Sequence, residues 1–181
     1  MKDELLRATS DLPVAVPITL LEVDSSAFKS QGEAIEMSLT FKDPGETKNY
    51  YEVKVLQDGY YIRNQDTIRF VNNLFVEPID PAQSNDNFNG ASKLLDDNLF
   101  NGKNHVFRMR LRSYRFNQQE STRVRVILQS VTESYYRYFA TQSLQNNTSG
   151  DPFAQPVQVF TNVENGLGIF AGYSTSVIEL K

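Results

Sequence analysis

The chain has 181 residues, 40% of them hydrophobic and 22% charged, which suits one globular domain with a real core and excludes wholesale disorder. Its formal charge of −4 argues against a general nucleic-acid binder, which needs net positive charge to displace counterions from phosphate. The lack of cysteine removes disulfides, thiolate nucleophiles and zinc-thiolate sites together.

The opening Met1-Lys2-Asp3-Glu4-Leu5-Leu6-Arg7 is too polar for the apolar region of a secretion signal, and no later run approaches the roughly 18 apolar residues of a membrane-spanning helix. Residues 1–12 read as a truncated edge or linker, and residues 13–181 as a single domain. From Val14 to Val23 the chain is apolar and β-branched but interrupted by Pro13 and Pro17, which places it on a sheet edge where missing donors are tolerated. Ala34 to Phe41 alternates strictly, with Ile35, Met37, Leu39 and Phe41 on one face of a half-buried strand. Asp43-Pro44-Gly45 then supplies a turn, so a hairpin is expected between this strand and Tyr50 to Val55.

Asp58-Gly59 reads as a second tight turn into Tyr60-Tyr61-Ile62, and Thr67 to Val76 as a strand ended by Pro78. Between Asp80 and Asn104 the composition shifts to Asn, Asp, Ser and Gly, the mark of a long loop and a candidate binding loop. Leu94-Leu95 and Leu99-Phe100 suggest that part of it docks on the core as a helical turn. His105 to Tyr114 and Thr122 to Leu128 alternate again and read as two antiparallel neighbours. Ser130-Val131-Thr132-Glu133 matches a capping box, so one helix is expected over residues 131–146. Phe153 to Phe160 is extended, Asn165-Gly166 favours a turn, and Ile169 to Leu180 closes the chain as a strand. The class is all-β and mainly antiparallel: a β-sandwich-like domain with one short helix.

Catalytic parts are scarce. His105 is the only histidine, so triads and histidine-rich metal sites lack members. Asp96 with Asp97, or Glu36 with Glu52, could pair for acid–base work, but spacing alone does not make a cleft. Asn85, Asn87, Asn89, Gly90 and Asp96 imitate a calcium loop poorly, with amides where carboxylates should supply charge. The glycines between Gly166 and Gly172 have the wrong spacing for a dinucleotide fingerprint, and no cofactor is expected.

The surface feature that carries a binding hypothesis is a run of arginines. Arg108, Arg110 and Arg112 share one strand face, with Arg123 and Arg125 expected on the neighbouring strand. The plain reading pairs them with outward Glu36 and Glu52; the sharper one is a site for an anionic or glycan ligand, since guanidinium suits carboxylate or phosphate. Tyr50-Tyr51, Tyr60-Tyr61 and Tyr135-Tyr136 could present rings to a partner, although adjacent strand residues face opposite ways and one of each strand pair should be core.

Tyr135-Tyr136-Arg137-Tyr138, Asp151 to Val157 and Asn162 to Phe170 form an ending that resembles a family of Bacteroidetes surface proteins, classed as domain of unknown function 4249. Phe41-Lys42-Asp43-Pro44, Asn49-Tyr50-Tyr51 and Asp97 to Lys103 look like its earlier landmarks, in the expected order. The resemblance implies that the chain is the carboxy-terminal half of a lipid-anchored outer-membrane lipoprotein, associated with TonB-dependent nutrient uptake. Its implied partner is a TonB-dependent transporter, its contact with membrane runs only through a missing amino-terminal anchor, and no catalytic residues transfer. The expectation is therefore a non-enzymatic binding or accessory module. The alternatives are a purely structural or adhesive domain and a hydrolase using paired carboxylates.

Overall fold

Period-two alternation builds two antiparallel sheets in the computed structural model, which describes residues 5–24, 35–80, 91–111, 121–148, 155 and 157–180. The strands are β1 (Ile18–Val23), β2 (Ile35–Lys42), β3 (Tyr50–Arg63), β4 (Asp66–Asn73), β5 (Val76–Pro78), β6 (Ser92–Asp96), β7 (Asn104–Leu111), β8 (Ser121–Val131) and β9 (Tyr173–Leu180). The first sheet has the order β1-β2-β7-β5. The second has the order β4-β3-β8-β9, with β6 joined to the first half of β3. The helix α1 (Glu133–Thr148) completes the sandwich-like domain.

The inner faces follow the alternation. Ile35, Met37, Leu39 and Phe41 of β2 meet Phe107, Met109 and Leu111 of β7 on one layer. Tyr51, Val53 and Val55 of β3, with Val126 and Leu128 of β8, form the other, and both layers belong to one core cluster. Burying each of these side chains contributes about 1.5–3 kcal/mol, which fixes the register because a one-residue slip would turn the whole row into water. The proline-interrupted amino-terminal strand lies on a sheet edge as expected. The amide of Val16 donates to the Ser130 hydroxyl (3.1 Å) and that of Ile18 to the Ser176 hydroxyl (3.1 Å), so residues 16–18 bridge toward the second sheet.

Several local expectations give way to tertiary structure. Asp43-Pro44-Gly45 does not close a hairpin: β2 pairs with β1 and β7, β3 with β4, β6 and β8, so the segment crosses between layers. Phe41 and Tyr51 then pack across the layers with ring centroids 4.9 Å apart. Asp58-Gly59 is not a turn either. β3 runs through it for 14 residues, and the true turn is Asn64-Gln65, both at positive φ (52° and 70°). Gly59 instead faces Phe70 across the ladder. The expected Thr67–Val76 strand divides into β4 and β5, which belong to different sheets. β7 and β8, expected as neighbours, also lie in different sheets.

Within the long polar segment, residues 81–90 lie outside the described residues, while 92–96 form β6. A 3-10 turn, Asp97–Leu99, follows as the expected helical turn, with Leu95 and Phe100 docked in the core cluster and Leu99 exposed. The helix starts two residues later than the capping box implies. Ser130 is the penultimate residue of β8, and Thr132 caps the helix, its hydroxyl accepting from the Tyr135 amide (3.3 Å).

Candidate functional site

The two-sheet topology divides the arginines. Arg108 and Arg110 lie on β7 in the first sheet, Arg123 and Arg125 on β8 in the second, so they do not form the single face expected of them. Arg112 lies outside the described residues. Arg110 faces Glu36 across β2 and donates to its Oε1 from Nη2 (2.8 Å) and Nε (3.2 Å), which is the plain pairing. Glu52 has no such arginine. Arg108 is exposed and forms no ion pair among the described residues.

Arg123 and Arg125 converge on one carboxylate, that of Asp58 on β3. The Nη2 atom of Arg123 lies 3.0 Å from Oδ2, and Nε of Arg125 lies 2.7 Å from Oδ1. The Asp58 side chain is only 10% exposed, whereas that of Arg123 is 62% exposed. The carboxylate is thus the fixed member, and the Arg123 head is held at the rim of a cleft by a contact worth at most about 1 kcal/mol at this exposure.

The cleft has a volume of about 510 Å³ and is lined by Asp58, Gly59, Tyr60, Arg69, Phe70, Val71 and Arg123. Beyond Tyr60, β3 is paired with β4 alone among the described residues, so the β3–β4 hairpin projects past the sandwich. Tyr60, Ile62 and Val71 are exposed there, and Tyr61 packs beside Phe70 with centroids 6.3 Å apart. Alternation places Asp58, Tyr60, Arg69 and Val71 on one face, where an apolar floor is rimmed by guanidinium groups. Sequence reasoning read Asp58 and Gly59 as a turn and passed over Arg69 and Val71. The available signal was Asn64, a residue that tolerates positive φ, two residues before the β4 alternation begins.

At the other end of β3 the carboxylates are closed off. Asp43 is fully buried: Oδ1 accepts from the Tyr51 hydroxyl, and Oδ2 from the amides of Gly102 (2.7 Å) and Gly45 (3.1 Å). Buried Asp97 accepts from the Asn49 amide (2.7 Å), and Asp96 from the backbone and side-chain nitrogens of Asn98. Asp96 therefore caps the 3-10 turn; Asn85, Asn87 and Asn89 of the calcium-like pattern lie outside the described residues. Glu36 and Glu52 stand on different sheets and cannot act as a pair.

Glu52 is 2% exposed although it points away from the core, because α1 covers it. Its Oε1 accepts from the Ser92 hydroxyl (2.6 Å) and its Oε2 from the Tyr135 hydroxyl (2.7 Å), with Lys54 Nζ at 2.8 Å. Burial, then the adjacent carboxylate, raises the Tyr135 hydroxyl far above its ordinary pKa, and burial followed by the bond to Asp43 does the same for Tyr51. His105 is buried and stacked on Phe100 with centroids 3.9 Å apart. Burial holds its pKa below the ordinary value, against the opposing pull of Asp80 and Asp43. These groups are occupied in holding the fold.

With the fold and cleft defined, comparison with known proteins places the chain. The family model described as "Domain of unknown function (DUF4249)" matches residues 2–179. The chain belongs to this family. No curated protein and no solved structure matches it. Asp43-Pro44 and Phe100-Asn101-Gly102, two segments on which the sequence resemblance was read, meet in space, since Asp43 binds the amide of Gly102 and its own amide donates to the Lys103 carbonyl (3.0 Å). Among the described residues, no helix is long and apolar enough to cross a membrane.

Proposed function

We propose that this chain is a non-enzymatic binding or accessory module of a bacterial cell surface, held at the outer membrane by a lipid anchor and working beside a TonB-dependent transporter. The location and partner rest on the family resemblance. The contact region rests on one observation: a projecting hairpin whose base forms a cleft with exposed Tyr60 and Val71 and an arginine rim steadied by Asp58. Exposed aromatic and arginine side chains are the residues that supply most of the energy in protein contacts, and a rigid sheet presents them at low entropic cost. Asp58 neutralises Arg123 and Arg125 in part, which favours a protein or mixed ligand over a simple anion. The test is copurification of the full-length anchored protein from outer membranes after crosslinking. Recovery with an outer-membrane transporter is expected, and weaker recovery for Tyr60→Ala with Arg69→Ala; recovery without any transporter would overturn the reading.

A second reading has its own observation. Leu5, Leu6, Leu12 and Val14 are exposed, and residues 5–12 lie against the 162–172 segment, where Leu167 and Phe170 are also exposed. Such a patch favours a structural or adhesive domain that packs on a neighbour. On that reading Leu167→Asp with Phe170→Asp abolishes association, and the cleft variants leave it intact.

A further inference from the structure

We infer that the outer edge of β4 receives an extended segment of a protein partner, one that alternates acidic and apolar residues, as an added antiparallel or parallel strand. The inference rests on the binding-module reading and names how that module holds its partner. β4 is eight residues long, contains no proline or lysine, and ends the order β4-β3-β8-β9 with no described strand beyond it. Natural edge strands of this length are usually blunted by such residues, because a row of unpaired amides and carbonyls is a template for another chain.

The ladder fixes which backbone groups face outward. Asn64-Gln65 is a two-residue turn closed by Arg63 and Asp66, so that pair and every second pair after it exchange hydrogen bonds. The same phase reaches the Leu74 amide, which donates to the Val55 carbonyl (2.8 Å). Thr67, Arg69 and Val71 fall between the bonded pairs, so their amides and carbonyls point to the open edge.

Side chains on both faces then select the partner. A residue added opposite Arg69 shares its face and meets an exposed guanidinium, with Arg123 nearby at the cleft rim; an acidic side chain suits that place. Residues added opposite Ile68 and Phe70 lie on the other face beside half-buried apolar groups, and apolar side chains suit those. Successive residues of the incoming strand therefore alternate in kind, and the main-chain bonds supply affinity while the alternation supplies specificity.

The probe is a fluorescent nine-residue peptide of alternating Glu and Val, with a Lys and Val peptide of equal length as its charge-reversed control. Anisotropy titration is expected to show saturable binding, at least tenfold weaker for the lysine peptide. Val71→Pro removes one outward amide and should lower affinity at least tenfold, while Val71→Ala, which trims the same side chain and keeps the amide, should lower it less than about threefold. Hydrogen exchange at Thr67, Arg69 and Val71 should slow when the peptide binds. Should Val71→Pro melt well below Val71→Ala, Thr67→Pro with Thr67→Ala repeats the test at an equivalent position. Equal affinities for the proline and alanine variants overturn strand addition, equal affinities for the two peptides overturn the acidic partner, and a dimer dissolved by Val71→Pro shows that the occupant is a second copy. Introduced into the anchored full-length protein, Val71→Pro separates the two claims. Transporter recovery that persists in the variant removes strand addition and spares the module, whereas no recovery with the natural residue removes the module itself.

Discussion

The two ends of β3 do opposite things with the same kind of residue. At its start, Tyr51 reaches fully buried Asp43, whose other oxygen collects two glycine amides from separate loops. Seven residues on, Asp58 gathers two arginines at the lip of an open cleft. A carboxylate enclosed by backbone donors pins the crossing between sheets, while one whose partners are solvent-reaching guanidinium groups orients side chains for contact. Both carboxylates are buried, so the exposure of their partners, rather than residue type, separates structure from function here.

That contrast can be broken most directly by removing each carboxylate. Asp43→Ala leaves the Tyr51 hydroxyl and the Gly45 and Gly102 amides without their acceptor and should cost about 3–5 kcal/mol. Asp58→Ala should cost about 1 kcal/mol or less and mainly change the cleft. Urea denaturation of the two variants checks this, and equal losses would abolish the distinction. The same corner predicts an asymmetry between its glycines. Gly45 has φ +77°, and a Cβ there would sit 2.5 Å from the Gly102 Cα, so Gly45→Ala should cost about 3 kcal/mol or more. Gly102→Ala meets ordinary van der Waals contact at 3.4 Å and should cost only the strain of φ +72°, about 1–2 kcal/mol. Thermal melts that rank them the other way would refute the close-approach argument.

A smaller effect sharpens the comparison between sheet and helix. α1 has no fully buried residue, and its hold on β3 runs through the Tyr135 bond to Glu52 and the Tyr136 ring, 4.7 Å from Tyr50. Tyr135→Phe should cost about 1.5–2 kcal/mol and speed hydrogen exchange in α1 while β2 amides stay unchanged. Uniform acceleration throughout the molecule would mean that the helix is integral to the core.

The smallest effect is that of pH at His105. Its folded pKa lies below the unfolded value of 6.5, so the unfolded chain binds the proton more readily. Its contribution to stability is complete above that value and declines as pH falls from there toward the folded pKa. Denaturation midpoints between pH 7.5 and 5 should fall more steeply for the natural protein than for His105→Gln. Parallel curves would show that the ring titrates alike in both states.

The alternation of Ile35, Met37, Leu39 and Phe41, and of His105, Phe107, Met109 and Leu111, was legible because burial on one face imposes a period of two whatever the neighbours are. The helix was legible too, displaced by two residues because Ser130 is drawn into β8 to receive the Val16 amide. Which strands pair was not legible, since Asp43-Pro44-Gly45 has the chemistry of a hairpin turn and serves a crossing instead. For the same reason the arginine ladder dissolved: a strand pattern states which residues share a face, never which sheet that face belongs to.

The amino-acid order alone thus settled the class of fold, the core-facing rows, the helix and the family. Tertiary structure alone decided the pairing of strands, the closure of Asp43 and Glu52, and the opening beside Asp58. The first set depends on contacts within a few residues, which a linear chain displays. The second depends on groups such as Val16 and Ser130, or Asp58 and Arg125, that meet only after the layers have stacked.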